Sequence, residues 1–180
     1  MAGQDFPVAP SGGGAEPGMD LLYGTTLTVD QASIATGTLA TGYRDLLIFI
    51  TGRSDRAAIK DDLVIGFNGD STGSNYEGRF KTTGDASSDA DSLRFVGFVP
   101  AANASASRFS STTIYVPSHE NSAVYKTFFG QSGVIGSTTD RRQLQFYNMW
   151  LNASAITSVV INASVGDLLT GTSVSVYGVK

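Results

Sequence analysis

The segment Tyr43-Arg-Asp-Leu-Leu-Ile-Phe-Ile-Thr51 contains five successive apolar residues, Leu46 to Ile50. Side chains alternate between the two faces of a β-strand, so an uninterrupted apolar run indicates a strand that is buried on both faces. We expect one face of this strand to lie in the core and the other to lie against something else. This segment is the strongest indication in the sequence of a fold built from strands.

Shorter apolar segments, separated by turn residues, predict further strands on both sides of this one. We expect them at 25–29, 63–67, 76–81, 94–99, 109–116, 123–129, 142–151, 156–162 and 173–179, with a polar loop over 82–92. Asn68-Gly69, directly after the segment 63–67, is a dipeptide typical of a tight hairpin turn. No segment carries a sustained helical period, and at most a short helical turn is expected within 29–35 or 156–160.

These roughly nine or ten strands, with no crossover helices between them, predict an all-β fold: an antiparallel β-sandwich of the jelly-roll type. The composition agrees, because charged residues make up only 16% of the 180 residues and glycine is abundant, with 21 residues. Glycine suits the tight turns that join short strands. We expect two parts, namely an extended Pro/Gly-rich N-terminal arm over 1–22 and a single β-sandwich domain over 23–180.

The arm is set apart by three prolines and by the run Gly12-Gly-Gly14, which exclude both a helix and a regular ladder. Two interpretations are open: a disordered tail, or an arm that becomes ordered only against a neighbouring subunit. In the second case its apolar and aromatic side chains are the contact residues, and these are Phe6, Val8, Met19, Leu21, Leu22 and Tyr23.

The side chains that enzymes use most are scarce. The chain has no cysteine and a single histidine, His119, within the polar segment Pro117-Ser-His-Glu120. Adjacent residues of an extended chain point in opposite directions, so Ser118 and His119 do not form a nucleophile–base pair locally. We therefore predict a protein that is not an enzyme, has no catalytic residues and binds no cofactor.

Nucleic acid and membranes are not expected as direct partners. The net charge is −4, and the twelve basic residues are scattered rather than clustered as phosphate binding requires. No apolar stretch approaches the ~20 residues that cross a bilayer.

Acidic segments and aromatic side chains are the remaining candidates for binding chemistry. Asp61-Asp62, Asn68-Gly-Asp70 and Asp85 to Asp91 offer oxygen ligands of the kind that Ca²⁺ prefers, but Asp and Asn are equally common as turn residues. We favour turns and predict no metal site. Six aromatic side chains can stack on sugar rings or pack within the sheets, and these are Tyr76, Tyr115, Tyr125, Tyr147, Trp150 and Tyr177.

The segments Leu46-Leu-Ile-Phe-Ile-Thr-Gly-Arg-Ser-Asp-Arg56 and Asp62-Leu-Val-Ile-Gly-Phe-Asn-Gly-Asp-Ser-Thr-Gly-Ser-Asn-Tyr76, with the closing strand Gly171-Thr-Ser-Val-Ser-Val-Tyr-Gly-Val-Lys180, resemble virion structural proteins of tailed bacteriophages. The resemblance covers about a third of the chain. It implies a jelly-roll-like capsid decoration (cement), head-fibre or tail protein, often a trimer, without catalytic residues.

Charged residues beside the long apolar strand are expected to set the register of subunits. Arg53 and Arg56 can pair with Asp55, Asp61 or Asp62, either within one chain or between chains. Exposed pairs of this kind contribute only about 0–1 kcal/mol, so they influence register more than affinity. The residues predicted at this contact are Arg53, Arg56 and Asp62.

The function hypothesis is a capsid decoration protein, made in the host cytoplasm and placed on the outer surface of the phage head. Its expected partners are the major capsid protein and copies of itself, as a homotrimer. Many weak contacts repeated over a shell produce avidity. The alternative is a receptor- or carbohydrate-binding module of a tail or fibre.

Overall fold

A computed structural model describes residues 18–84, 88–91 and 94–180. These residues form twelve β-strands and one 3₁₀ turn, Gly73–Asn75, and no α-helix occurs among them. The strands are β1 (Met19–Thr26), β2 (Ile34–Ala35), β3 (Asp45–Gly52), β4 (Lys60–Phe67), β5 (Tyr76–Gly84), β6 (Ser88–Asp91), β7 (Phe95–Pro100), β8 (Ser110–Val116), β9 (Lys126–Ile135), β10 (Arg141–Trp150), β11 (Val159–Ala163) and β12 (Ser173–Val179).

Two antiparallel sheets pack face to face, which confirms the predicted all-β sandwich. The large sheet has the order β1-β12-β3-β8-β9-β10-β5-β6, and the small sheet has the order β2-β11-β4-β7. β1 pairs with β12, β2 with β11, β3 with β8 and β4 with β7, as in one long hairpin that has been rolled up. This nested pairing, with successive strands alternating between two sheets, is the topology of a jelly roll.

Two additional hairpins widen the large sheet. β9 and β10 follow β8 along the chain, and β5 and β6 are inserted between β4 and β7. All four extend the large sheet beyond β8. The large sheet therefore has a broad outer face, on the side away from the small sheet.

The central strand β3 shows how the core is placed. Leu46, Ile48 and Ile50 are fully buried and face the small sheet, whereas Leu47 is half-buried and Phe49 is 42% exposed on the outer face. Within the single chain the strand is therefore buried on one face only, and the expectation that its other face lies against something else stays a prediction. One face is covered by the small sheet, and no part of the described chain fully covers the other.

A cluster of aromatic rings closes one end of the core. The Phe67 ring lies 5.1 Å from Phe128 and 5.8 Å from Trp150, and Tyr76 stacks on Trp150 at 6.4 Å. Tyr76 and Trp150 are each 1% exposed, so they are core residues and not platforms for a sugar.

The turn at Asn68-Gly69 is tight, but it does not make a hairpin. Both residues have positive φ, 52° and 76°, and the Asp70 amide donates to the Phe67 carbonyl at 2.8 Å. β4 and β5 nevertheless lie in different sheets, because the chain crosses the sandwich after this turn. The predicted polar loop at 82–92 is also corrected in part: β5 continues to Gly84, and residues 88–91 form β6.

Candidate functional site

The outer face of the large sheet carries a row of apolar and aromatic residues. Strand register places one residue of each strand opposite the next, from β1 to β10. The row consists of Leu21, Tyr177, Leu47, Tyr115, Phe129 and Tyr147. Solvent-facing positions of an antiparallel sheet are usually polar, so this row marks a surface that is suited to a partner.

The part of this row on β1, β12 and β3, together with Met19 and Phe49 on the same face, forms what we call the apolar patch: Met19, Leu21, Leu47, Phe49 and Tyr177. Met19 is 54% and Leu21 58% exposed. The Phe49 and Tyr177 rings meet edge to face at 5.9 Å. The patch lies at the start of the described chain, so residues 1–17 join the domain beside it.

The six expected arm residues divide into three groups. Met19 and Leu21 belong to β1 and point outward. Leu22 and Tyr23 also lie in β1, but they pack against the core of their own chain. Phe6 and Val8 lie outside the described residues. The last residues of the expected arm are therefore an edge strand of the sheet, with Met19 opposite Val179.

A groove runs beside the row, across β8, β9 and β10. It encloses about 1020 Å³. Its floor includes Ser111, Gln131 and Gln143, and its margins include Arg108, Phe109 and Arg141. We call this feature the polar groove. A smaller depression of about 490 Å³ continues it towards Tyr115, Phe129 and Tyr147.

Arg53 is occupied within its own chain and does not pair with an aspartate as expected. The side chain is 9% exposed, and its Nη1 donates to the carbonyls of Ser105 (2.9 Å) and Arg108 (3.2 Å). Its Nη2 donates to the carbonyls of Ala101 (2.9 Å) and Ala104 (3.2 Å). These four bonds fix the loop between β7 and β8, which forms one margin of the polar groove.

Arg56, rather than Arg53, forms an ion pair with an aspartate. Its Nη1 lies 3.3 Å from the buried Asp61 carboxylate, which also accepts from the amides of Asp62 and Gly166 at 2.9 Å each. Asp62 is half-buried beside them, and burial, followed by the charge of Asp61, raises the pKa of its carboxyl. These residues therefore connect β4 to the loop before β12.

His119 is a buried structural residue. Its side chain is 1% exposed, with Nδ1 3.4 Å from the Arg44 carbonyl oxygen and Nε2 3.7 Å from the Glu120 carboxylate. Burial lowers the pKa of His119, so the ring is neutral near pH 7. The adjacent Ser118 uses its amide to donate to Asp45 at 2.9 Å.

Replacing His119 by glutamine is expected to flatten the pH dependence of the free energy of unfolding between about pH 7 and about pH 5. In the unfolded chain the histidine regains its ordinary pKa of 6.5, so the unfolded state binds the proton first as the pH falls. The wild-type free energy of unfolding should then decrease below that pH, by at most about 1.4 kcal/mol per pH unit. Urea denaturation at several pH values measures both slopes. An unchanged slope in the variant would assign the effect to a carboxylate.

The segment Gly69-Asp-Ser-Thr-Gly73 has the spacing of a nucleophile elbow. In hydrolases that serine sits on a sharp turn between a strand and an α-helix. Here Ser71 lies between β4 and a 3₁₀ turn of three residues, and its carbonyl accepts from Arg94 at 3.0 Å. The ring nitrogens of His119 lie near Arg44 and Glu120 instead. The segment 69–73 is therefore a turn and not a nucleophile elbow.

Of the described acidic segments, Asn68-Gly-Asp70 is a turn as expected, whereas Asp61 and Asp62 lie in β4, so the expectation of a turn is wrong there. The Asp70 carboxylate accepts from the Thr72 amide, the Asn75 amide group and the Trp150 indole, at 2.8–2.9 Å. Among the described residues there is no group of three or more His, Cys, Asp and Glu side chains placed to hold a metal. Asp85 lies outside the described residues, as do the side chains of Asp89 and Asp91.

Sequence reasoning did not single out the margins of the polar groove. Arg108 and Phe109 are neighbours in sequence, but Arg141 lies 33 residues after Arg108, and only the sheet brings Arg141 to the same groove. One local signal was present, because residues 143, 145 and 147 alternate onto one face of β10.

No protein-family model matches this chain, and no curated protein shows significant sequence similarity to it. Across the described parts of the chain, no helix has the length and hydropathy needed to span a membrane.

Proposed function

We propose that this chain is a structural, non-enzymatic protein of a tailed-phage virion, most specifically a capsid decoration protein. In this proposal it binds the major capsid protein and further copies of itself, as a homotrimer on the outer surface of the head. The observation that carries the proposal is the apolar patch on the outer face of the large sheet, beside the point where residues 1–17 join the domain.

The patch supports a role in assembly on energetic grounds. Removing apolar surface from water contributes about 25 cal/mol per Å². Phe49 and Leu21 remain exposed although both are paired with a neighbouring strand, Phe49 with Ser175 and Leu21 with Tyr177. A neighbouring subunit that covers both side chains gains this free energy and loses little conformational entropy, because the sheet already holds the two side chains in place.

The titratable groups that are buried support a structural rather than a catalytic role. Lys126 is 1% exposed, and its ammonium donates to the carbonyls of Asn121, Val124 and Ala153. His119 is similarly enclosed. Both side chains connect loops at the same end of the sandwich. The main-chain carbonyl of His119 also accepts there from the Ile156 amide, at 3.0 Å.

Two variants test the contact: a chain without residues 1–17, and the double substitution Leu21→Ser with Phe49→Ser. Both are expected to keep the fold and to bind heads stripped of the protein at least about tenfold more weakly, because apolar contact area is lost. The deletion stops at residue 17 because Asp20 accepts from the Tyr43 hydroxyl and pairs with Lys180, both at 2.8 Å. Co-sedimentation with purified heads gives the affinity, and analytical ultracentrifugation gives the oligomeric state.

Tyr125→Ser is the matched control, because Tyr125 is 54% exposed and lies outside the patch, just before β9. It should bind heads as the wild type does. Wild-type affinity in both test variants would refute the decoration proposal in this form, and so would a protein that has no affinity for stripped heads.

The second candidate is a receptor- or carbohydrate-binding module of a tail or fibre. The polar groove favours it, because amide, hydroxyl and aromatic side chains meet there. Gold-labelled antibody on intact particles distinguishes the two: label on heads supports decoration, and label on tails or fibres supports the second candidate.

A further inference from the structure

The floor of the polar groove is a section of the large sheet that carries hydroxyl and amide side chains. Register places Ser111 opposite Gly133 and Gly133 opposite Gln143, and in the next row Thr113 opposite Gln131 and Gln131 opposite Gln145. A side chain at Gly133 would meet nothing within 4 Å, so this position opens the middle of the floor. The floor presents hydroxyls and planar amides, which both donate and accept hydrogen bonds.

One margin of the groove is held rigidly. Arg53 anchors the loop from residue 101 to residue 108 through four carbonyls. Phe109, next to this loop, is 36% exposed, and its ring lies over Gly171. Gly171 has φ +90°, and a Cβ there would come within 3.2 Å of the ring. The aromatic face is therefore built in place before any ligand arrives, which lowers the cost of binding.

The described lining of the groove is basic, although the protein as a whole is acidic. The net charge is −4, but among the residues that the structure describes the groove is lined by Arg108, Arg141 and Arg142 and by no aspartate or glutamate. Arg142 is engaged by Asp140 at 2.8 Å. Arg108 and Arg141 lie at the margin, where Arg108 donates to the Ile135 carbonyl at 3.5 Å and Arg141 to the Thr138 carbonyl at 2.7 Å.

A second aromatic group stands at the far end. The depression that continues the groove shares Thr113 and Gln131 with it and is lined by Tyr115, Phe129 and Tyr147. The Tyr115 and Phe129 rings meet at 5.4 Å. Aromatic faces at both ends, amides between them and arginines at one margin suit a chain of rings that carry hydroxyls and acidic groups.

We propose that the polar groove binds an acidic oligosaccharide. Sugar rings stack on Phe109 and Tyr147, ring hydroxyls bond to Gln131 and Gln143, and a carboxylate or phosphate substituent bonds to Arg108 and Arg141. A single-stranded nucleic acid offers rings and charge as well, but its repeated phosphates require a longer basic track than this acidic protein has. The inference goes beyond the decoration proposal and does not depend on it.

The test is calorimetric titration of the full chain with four probes: tetragalacturonic acid, phosphorylated maltotetraose, neutral maltotetraose and an eight-nucleotide oligothymidine. At least one acidic saccharide should bind, about tenfold or more tightly than the neutral one, and its affinity should fall with added salt. The two acidic probes show whether the acidic group is a carboxylate or a phosphate.

Arg141→Gln and Phe109→Ala should each weaken that binding by about tenfold, with unchanged circular dichroism. Arg141→Lys, which keeps the charge, should recover part of it, and Tyr125→Ala, an exposed aromatic residue outside the groove, should bind as the wild type does. The inference is overturned if no acidic saccharide binds, if the neutral probe binds equally well, if oligothymidine binds most tightly, or if the groove variants bind normally.

Discussion

Replacing Arg53 by methionine should lower the free energy of unfolding by about 3–5 kcal/mol. The guanidinium is 9% exposed and satisfies the carbonyls of Ala101, Ala104, Ser105 and Arg108. Methionine fills a similar volume but donates nothing, so buried acceptors are left without a partner. Urea denaturation, followed by circular dichroism, measures the loss.

Two further substitutions sharpen this test. Arg56→Met removes a guanidinium three residues away whose contact is a partly exposed ion pair at 3.3 Å, and it should cost about 1 kcal/mol or less. Arg53→Lys keeps the charge but loses the planar fork, and it should fall between the wild type and Arg53→Met. A stable Arg53→Met protein with an altered oligomeric state would instead place Arg53 at a contact between subunits, which was the expectation from sequence.

Replacing Asp70 by alanine is the second change with a large expected effect, about 2–4 kcal/mol. The carboxylate accepts from the Trp150 indole at 2.8 Å and from Asn75 and the Thr72 amide at 2.9 Å each. Without it, the buried indole N–H loses its partner and the turn after β4 loses its internal bonds. Trp150 is the single tryptophan of the chain, so its fluorescence follows unfolding directly.

The effect of this substitution should depend on pH in a defined direction. Hydrogen bonding, above all from Trp150, lowers the pKa of Asp70 below its ordinary value of 3.8 in the folded state. The stabilisation is therefore fully present above that value and is lost as the pH falls through the lower, folded-state pKa. The difference between wild type and Asp70→Ala should shrink in acid.

Asp30→Ala is the matched control for Asp70. Asp30 accepts two bonds, against three at Asp70, from the amide and hydroxyl of Thr170 at 2.7 and 2.9 Å, and it does so in an exposed loop. Its replacement should cost about 1 kcal/mol or less, because water can take over its bonds. Equal losses at Asp30 and Asp70 would contradict a special role for the contact with Trp150.

The strands could be located from sequence because their signals are local. β3, β4, β7, β8 and β12 each begin and end within three residues of the expected bounds. β6 was missed because its residues, Ser88–Asp91, are polar and small and carry no apolar alternation. It is a strand because β5 offers it a free edge, with Arg79 opposite Asp91.

The candidate surfaces were harder to predict, because a side chain's partner need not be near it in sequence. Phe49 and Ile50 are neighbours in one apolar run, but only Ile50 is covered by the small sheet. Tyr76 and Trp150 looked like candidates for sugar stacking, and both are core residues beside Phe67. Tyr147, on the opposite face of the same strand as Trp150, stays exposed.

The sequence alone determined that this chain is an antiparallel sandwich, because alternation and turn chemistry act over a few residues. The tertiary structure decided which strands pair, which side of β3 stays open and which arginine is buried. Arg53 bonds to Ser105, which lies 52 residues later in the sequence. β1 pairs with β12, although these two strands lie at opposite ends of the described chain. Such contacts depend on how the rolled hairpin closes, and closure is a property of all the strands together rather than of any one segment.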